Sequence, residues 1–148
     1  MAVDLKWTPK IVTKAAAVQI ERRMAKAMLT LAGIAQRKIS VGQPTRRPKN
    51  KEGEASGPVY GLEPSVAPNP PKVVTGALRK SIVHEVVVEP FAIVGRVGSN
   101  LVYARRLELG FSGADSLGRN VNQEARPYLR PSLTENLPRL LKFLADRK

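Results

Sequence analysis

The sequence predicts an α+β fold with a long N-terminal helix, a small antiparallel sheet built on a β-hairpin, a short helix and a C-terminal helix, interrupted by a long proline-rich loop. Three observations carry that expectation. Apolar residues recur at three- and four-residue steps through residues 11–39. Two Val- and Ile-rich runs flank a Pro-Phe pair between residues 81 and 97. Leucines recur at helical spacing from Leu133 to Leu144. The 148 residues suit one domain, 1–148, since ~100–200 residues per domain is usual.

In the first helix the stripe is Ile20, Met24, Ala27, Met28, Leu31, Ala35 and Ile39, with Arg22, Lys26, Thr30, Gly33 and Arg37 on the other side. Thr8-Pro9 suits its start, and Ser40 to Pro44 its end. Residues 41–72 lose all apolar periodicity and hold seven of the 12 prolines, four glycines and the basic residues Arg46, Arg47, Lys49 and Lys51. They read as an extended loop, well beyond the ~12–15 residues at which structureless loops become uncommon.

Residues 73–148 read as the α+β core with the last helix. Thr75–Ser81 suits a short helical turn, which Thr75 can cap. Ser81–Glu89 and Ala92–Val97 suit two strands of a hairpin broken at Pro90-Phe91. Leu101–Leu109 suits a short helix ended by Gly110. Phe111–Gln123 reads as a polar loop. In the last helix Ser132 and Glu135 have the spacing of a capping box. Pro138 conflicts with that, so either the helix kinks there or Asn136 caps a second segment.

Charge and composition narrow the function. Lys and Arg number 25 against 12 Asp and Glu, for a net charge of +13. Residues 1–50 hold 11 of the basic and 2 of the acidic side chains. That concentration suits a polyanionic partner or a solvated helix face. The chain is too short for a TIM barrel, which takes roughly 250 residues. Without cysteine there is no disulfide framework, thiolate zinc site or thiol nucleophile. No apolar run approaches the ~20 residues of a membrane span, and no secretory signal is present, so cytosolic synthesis is expected.

Catalytic constellations are missing as well. There is no P-loop, no G-x-G-x-x-G and no G-x-S-x-G elbow. His84 is the one histidine and sits within the first predicted strand. Glu85 and Glu89 share a strand face but are ~13 Å apart at ~3.3 Å per residue, outside the ~5–9.5 Å of glycosidase pairs. The expectation is a non-enzyme without metal or cofactor. Few aromatics leave few platforms for stacking bases, so nucleic acid would be met through its phosphates.

Three segments then appear in order: Val74-Thr75-Gly76-Ala77-Leu78-Arg79-Lys80-Ser81-Ile82, Val97-Gly98-Ser99-Asn100-Leu101-Val102-Tyr103-Ala104-Arg105-Arg106-Leu107-Glu108-Leu109-Gly110, and Ala125-Arg126-Pro127-Tyr128-Leu129-Arg130-Pro131-Ser132-Leu133. Together, after a long helix, they resemble the neck and tail-completion proteins of long-tailed bacteriophages, tail components that join head and tail. The chain departs from that family's pattern in having Val74 where an Asp is usual, and in its longer, proline-rich 41–72 segment.

The resemblance implies a structural virion protein, formed in the bacterial cytoplasm and built into the head–tail junction. It implies a hexameric or dodecameric homo-oligomeric ring that docks head-closure, connector and tail proteins, with packaged DNA a possible contact of the basic loop and no membrane role. The motif positions it singles out for structure or interface are Thr75, Gly76, Leu78, Arg79, Ser81, Gly98, Asn100, Tyr103, Glu108, Gly110, Arg126, Pro127, Leu129, Arg130 and Pro131. Within them Arg79 is expected to pair with Glu108, and Tyr103 and Leu107 to pack the short helix on the sheet. The alternative is a non-specific nucleic-acid-binding protein.

Overall fold

A computed structural model describes residues 1–7, 14–40, 65–73 and 75–145. The expected helix start at Thr8-Pro9 and the basic cluster Arg46, Arg47, Lys49 and Lys51 lie outside the described residues. The order is β1 (Ala2–Trp7), α1 (Lys14–Ser40), α2 (Ala77–Lys80), β2 (Ile82–Glu89), β3 (Ala92–Ser99), α3 (Val102–Leu109), β4 (Phe111–Ala114), β5 (Asn120–Gln123) and α4 (Leu129–Ala145). The α+β class, the long first helix, the β2–β3 hairpin, the short helix and the final helix all stand as the sequence predicts.

The apolar stripe of α1 is the spine of the core. Met24, Ala27, Met28, Leu31, Ala35 and Ile39 are all buried, joined by Leu78, Ile82, Ile93, Val97, Tyr128, Leu129 and Leu140. The helix lies across β2 and β3 and against α4. It comes close because position 95 has no side chain: a Cβ on Gly95 would sit 2.5 Å from Met28 Cγ and 2.8 Å from Met24 Sδ. Burying a Leu- or Met-sized side chain is worth ~1.5–3 kcal/mol, so this stripe dominates what holds the elements together.

The main sheet has the order β1-β3-β2, antiparallel throughout. Register puts Asp4 opposite Arg96 and Arg96 opposite Glu85. Arg96 therefore reaches Asp4 at 3.7 Å and Glu85 at 3.4 Å, while Lys6 lies 3.7 Å from Glu89. These pairs are exposed and add ~0–1 kcal/mol each, but they account for Glu85 and Glu89 as sheet-surface charges. On α1 and α4, Lys38 and Glu135 pair at 2.6 Å and the Lys26 ammonium lies over the Phe143 ring.

The structure departs from the sequence reading at four places. Residues 2–7, for which the sequence predicts no element, form β1, because Val3 and Leu5 alternate with exposed Ala2, Asp4 and Lys6 and pack on the core. The stretch 111–123 is not a plain loop: β4 and β5 pair antiparallel from Phe111–Gln123 to Ala114–Asn120. Ser132 and Glu135 form no capping box, since α4 begins at Leu129 and Ser132 lies buried inside it, its hydroxyl donating to the Tyr128 carbonyl. Asn136 caps no second segment either; α4 runs through Pro138, and the Asn136 amide donates to Ser132 O at 3.0 Å.

The β4–β5 hairpin makes no more than marginal contacts with other elements. Its tip is closed by Asp115. That carboxylate accepts from Leu117 N at 2.8 Å and Arg119 N at 3.0 Å, and pairs with the Arg119 guanidinium at 2.6 Å. Gly118 takes the left-handed conformation the turn requires, at φ 73°. At the base Arg106 stacks over the Phe111 ring, 4.2 Å from its centroid.

Candidate functional site: the junction of the three motif segments

The three motif segments, far apart in sequence, meet in space. The first joins the second through a directed chain of hydrogen bonds. Leu101 N–H donates to Ser99 Oγ at 3.2 Å, the Ser99 and Ser81 hydroxyls are 2.7 Å apart, and Ser81 Oγ donates to Leu78 O at 2.8 Å. A hydroxyl has one proton. Ser81 spends its proton on Leu78, so Ser99 donates to Ser81. Ser99 is also tied to the first strand: its N–H donates to Met1 O at 3.0 Å. Gly98 beside it is needed for this approach, because a Cβ there would lie 2.9 Å from the Ala2 Cα and collide with the Met1 carbonyl.

Glu108 joins the second segment to the third. It is 3% exposed, and both of its oxygens point at the start of α4. Oε2 accepts from Tyr128 N at 2.8 Å and Leu129 N at 2.9 Å, and Oε1 accepts from Arg130 N at 2.8 Å. The opening amides of a helix have no partner within it. Here Tyr128, Leu129 and Arg130 give theirs to Glu108, Pro131 has none to give, and Ser132 N donates to Tyr128 O at 3.3 Å, which begins the regular ladder. A carboxylate also suits the positive end of the helix dipole, and it tolerates burial because donors surround it. Arg126 N donates to Leu107 O at 2.6 Å and completes the join.

The other motif residues take the following places. Gly76 has φ 77° and Leu78 beyond it is buried. Thr75 Oγ1 accepts from Ala77 N at 3.2 Å. Gly110 ends α3 at φ 77°, with Gln123 O only 2.9 Å from where a Cβ would be. Leu129 is fully buried, Pro127 is half-buried, and Arg130 and Asn100 are exposed.

Two expected roles are corrected. Arg79 does not pair with Glu108, whose oxygens are taken by backbone amides; Arg79 is exposed and faces a cavity instead. Tyr103 is exposed and lines that same cavity, so it does not clamp α3 on the sheet; Ala104 and Leu107 carry the inward packing. The role of Glu108 as helix cap was not foreseen. Its signal was a charged residue in an apolar helix face combined with a helix start that has no Ser, Thr, Asp or Asn at its head.

The cavity holds about 280 Å³ and lies where the segments converge, between the end of α1, residues 71–73 and 75–79, Tyr103, Leu107 and Arg126. Ser65 Oγ and Arg126 Nε, both buried, have no hydrogen-bond partner among the described residues. The fully buried Tyr128 hydroxyl also has no partner among the described residues, and its burial, aided by the Glu108 charge, pushes its pKa well above the usual tyrosine range. His84 is exposed on β2. Among the described residues no three His, Asp or Glu side chains gather as a metal site, and no helix is long and apolar enough to cross a membrane. No family model, curated protein or solved structure matches the chain.

Proposed function

We propose that the chain is a structural virion protein of a long-tailed bacteriophage. In this reading it acts without catalysis or cofactor. It forms a homo-oligomeric ring, a hexamer or dodecamer, at the head–tail junction, and docks connector and tail proteins on the ring's two faces. The observation that carries the reading is the convergence of the three motif segments. Segments that resemble one family in sequence are joined through Ser81, Ser99 and Glu108 into one hydrogen-bonded unit.

Exposed apolar side chains stand at the ends of three elements and give a ring its contacts: Phe91 at the β2–β3 turn is 85% exposed, Val102 at the head of α3 86%, and Leu117 at the β4–β5 tip 73%. In this reading the basic residues Arg46, Arg47, Lys49 and Lys51 meet packaged DNA or an acidic neighbouring ring.

The test is sedimentation of the purified chain, followed by negative-stain imaging. A closed ring, formed alone or on mixing with a tail partner, with weak retention of duplex DNA, is the expected result. A monomer at every concentration that retards duplex DNA, with affinity falling steeply as salt rises, would sink the reading in favour of non-specific nucleic-acid binding.

A further inference from the structure

The cavity at the motif junction has chemistry that the fold itself leaves unused. Lys72, Arg79 and Arg126 bring positive charge to it, and among the described residues that line it there is no Asp or Glu. None of the three cations has an ion-pair partner among the described residues. Two polar groups of its lining residues are buried without partners among the described residues: the hydroxyl of Ser65, a residue 4% exposed, and the Nε–H of Arg126. Buried donors are nearly always satisfied, so orphans at a cavity mark a place where an acceptor belongs. Leu78 and Leu107 make the remaining wall apolar.

We propose that this cavity binds the C-terminal residue of a peptide, taking its free carboxylate on Arg126 and Ser65 and its apolar side chain against Leu78 and Leu107. The acceptor must be anionic, because the lining supplies donors and positive charge. It must carry an apolar body, because a bare phosphate would lose its hydration against the leucine wall without replacement. It must be small: at about 280 Å³ the cavity falls just below the ~300–1,000 Å³ of pockets for drug-sized ligands, which leaves room for a residue and not for a nucleotide. A glutamate within a chain offers only a short methylene stem to the apolar wall and has to lead two chain ends out of the cavity. A terminal residue leads out one. This assignment is independent of the ring proposal, since it rests on the cavity alone.

The test is a titration of the full-length chain, followed by amide NMR. The probes are acetyl-glycyl-leucine as the free acid, the same dipeptide as its C-terminal amide, acetyl-glutamate amide, and inorganic phosphate. The free acid is expected to shift the amides of Thr75–Arg79 and Arg126 saturably, with a Kd at least about tenfold below that of the other three, which corresponds to ~1.4 kcal/mol. Arg126→Gln and Ser65→Ala should each weaken it several-fold. Ser65→Ala decides the matter should Arg126→Gln lose its dispersed spectrum. Equal response to the amide removes the carboxylate from the proposal. Equal response to acetyl-glutamate amide or phosphate removes the terminal residue, and saturation unchanged in a folded variant removes the site; each result overturns the proposal.

Discussion

A helix that opens on Tyr128, Leu129 and Arg130 has to find acceptors for amides that no earlier turn can supply. Glu108 supplies them from another element, with three bonds of 2.8–2.9 Å in a buried setting. The geometry makes the residue sensitive in a graded way. Glu108→Ala leaves those donors without acceptors, and each orphan costs ~1–3 kcal/mol, so a loss of about 3–5 kcal/mol is expected. Glu108→Gln keeps one acceptor oxygen but turns an amide donor toward backbone donors, so about 1–3 kcal/mol is expected. Urea unfolding should show the midpoint falling in that order with an unchanged slope. A Glu108→Ala protein within ~1 kcal/mol of the parent would mean that Glu108 does not hold the start of α4. The sequence pointed to Glu108 as a motif residue but not to its partner. Ser132 and Glu135 offered a cap at the right spacing, and nothing local showed that the helix starts a turn earlier, because its acceptor lies twenty residues back.

The elements that were legible are those whose apolar pattern does the folding. The α1 stripe is long and buries what it advertises, as does the β3 run; β2 is long too but buries Ile82 and leaves Val83 and Val88 exposed. β1 is short, with Val3 and Leu5 packing inward, and it exists because β3 offers it an edge from Ala2↔Gly98 to Trp7↔Ile93. The β4–β5 hairpin has almost no apolar pattern, since Phe-Ser-Gly-Ala and Asn-Val-Asn-Gln are poor strand sequences, and its pairing depends on the Asp115 turn. An isolated two-stranded hairpin is marginal in water, so this turn decides whether the arm is formed. Hydrogen bonds from the Arg119 side chain and backbone hold the Asp115 carboxyl below its ordinary 3.8. A depressed folded pKa contributes stability that is present above the unfolded value and lost as pH falls through the folded one. Acid titration by NMR should show the Leu117 and Arg119 amides moving together with a midpoint below 3.8, while amides of β3 stay fixed. A midpoint at or above 3.8, or movement of the whole sheet with the tip, would detach the arm's order from Asp115.

At the scale of the molecule two features pull toward different partners: a net charge of +13, weighted to residues 1–50, and exposed apolar side chains at the tips of hairpins and at the head of α3. They respond to salt in opposite ways. Association through apolar surface holds or strengthens as sulfate is added, because excluded salts favour burial. Association through Lys and Arg on phosphates releases counterions and weakens steeply. Val102 and Leu117 are exposed and make no part of the buried core, so Val102→Ser with Leu117→Ser should leave the unfolding free energy within ~0.5 kcal/mol of the parent. If the chain assembles as a ring through these tips, the double variant should shift sedimentation toward the monomer, and added sulfate should partly restore the oligomer. Arg96 and Lys6 on the sheet surface are already paired with carboxylates, so they should matter little to either equilibrium. An oligomer indifferent to the double substitution but dissolved by moderate salt would place the contacts on charge instead, and the ring would then be held by the basic N-terminal third against an acidic face of its neighbour.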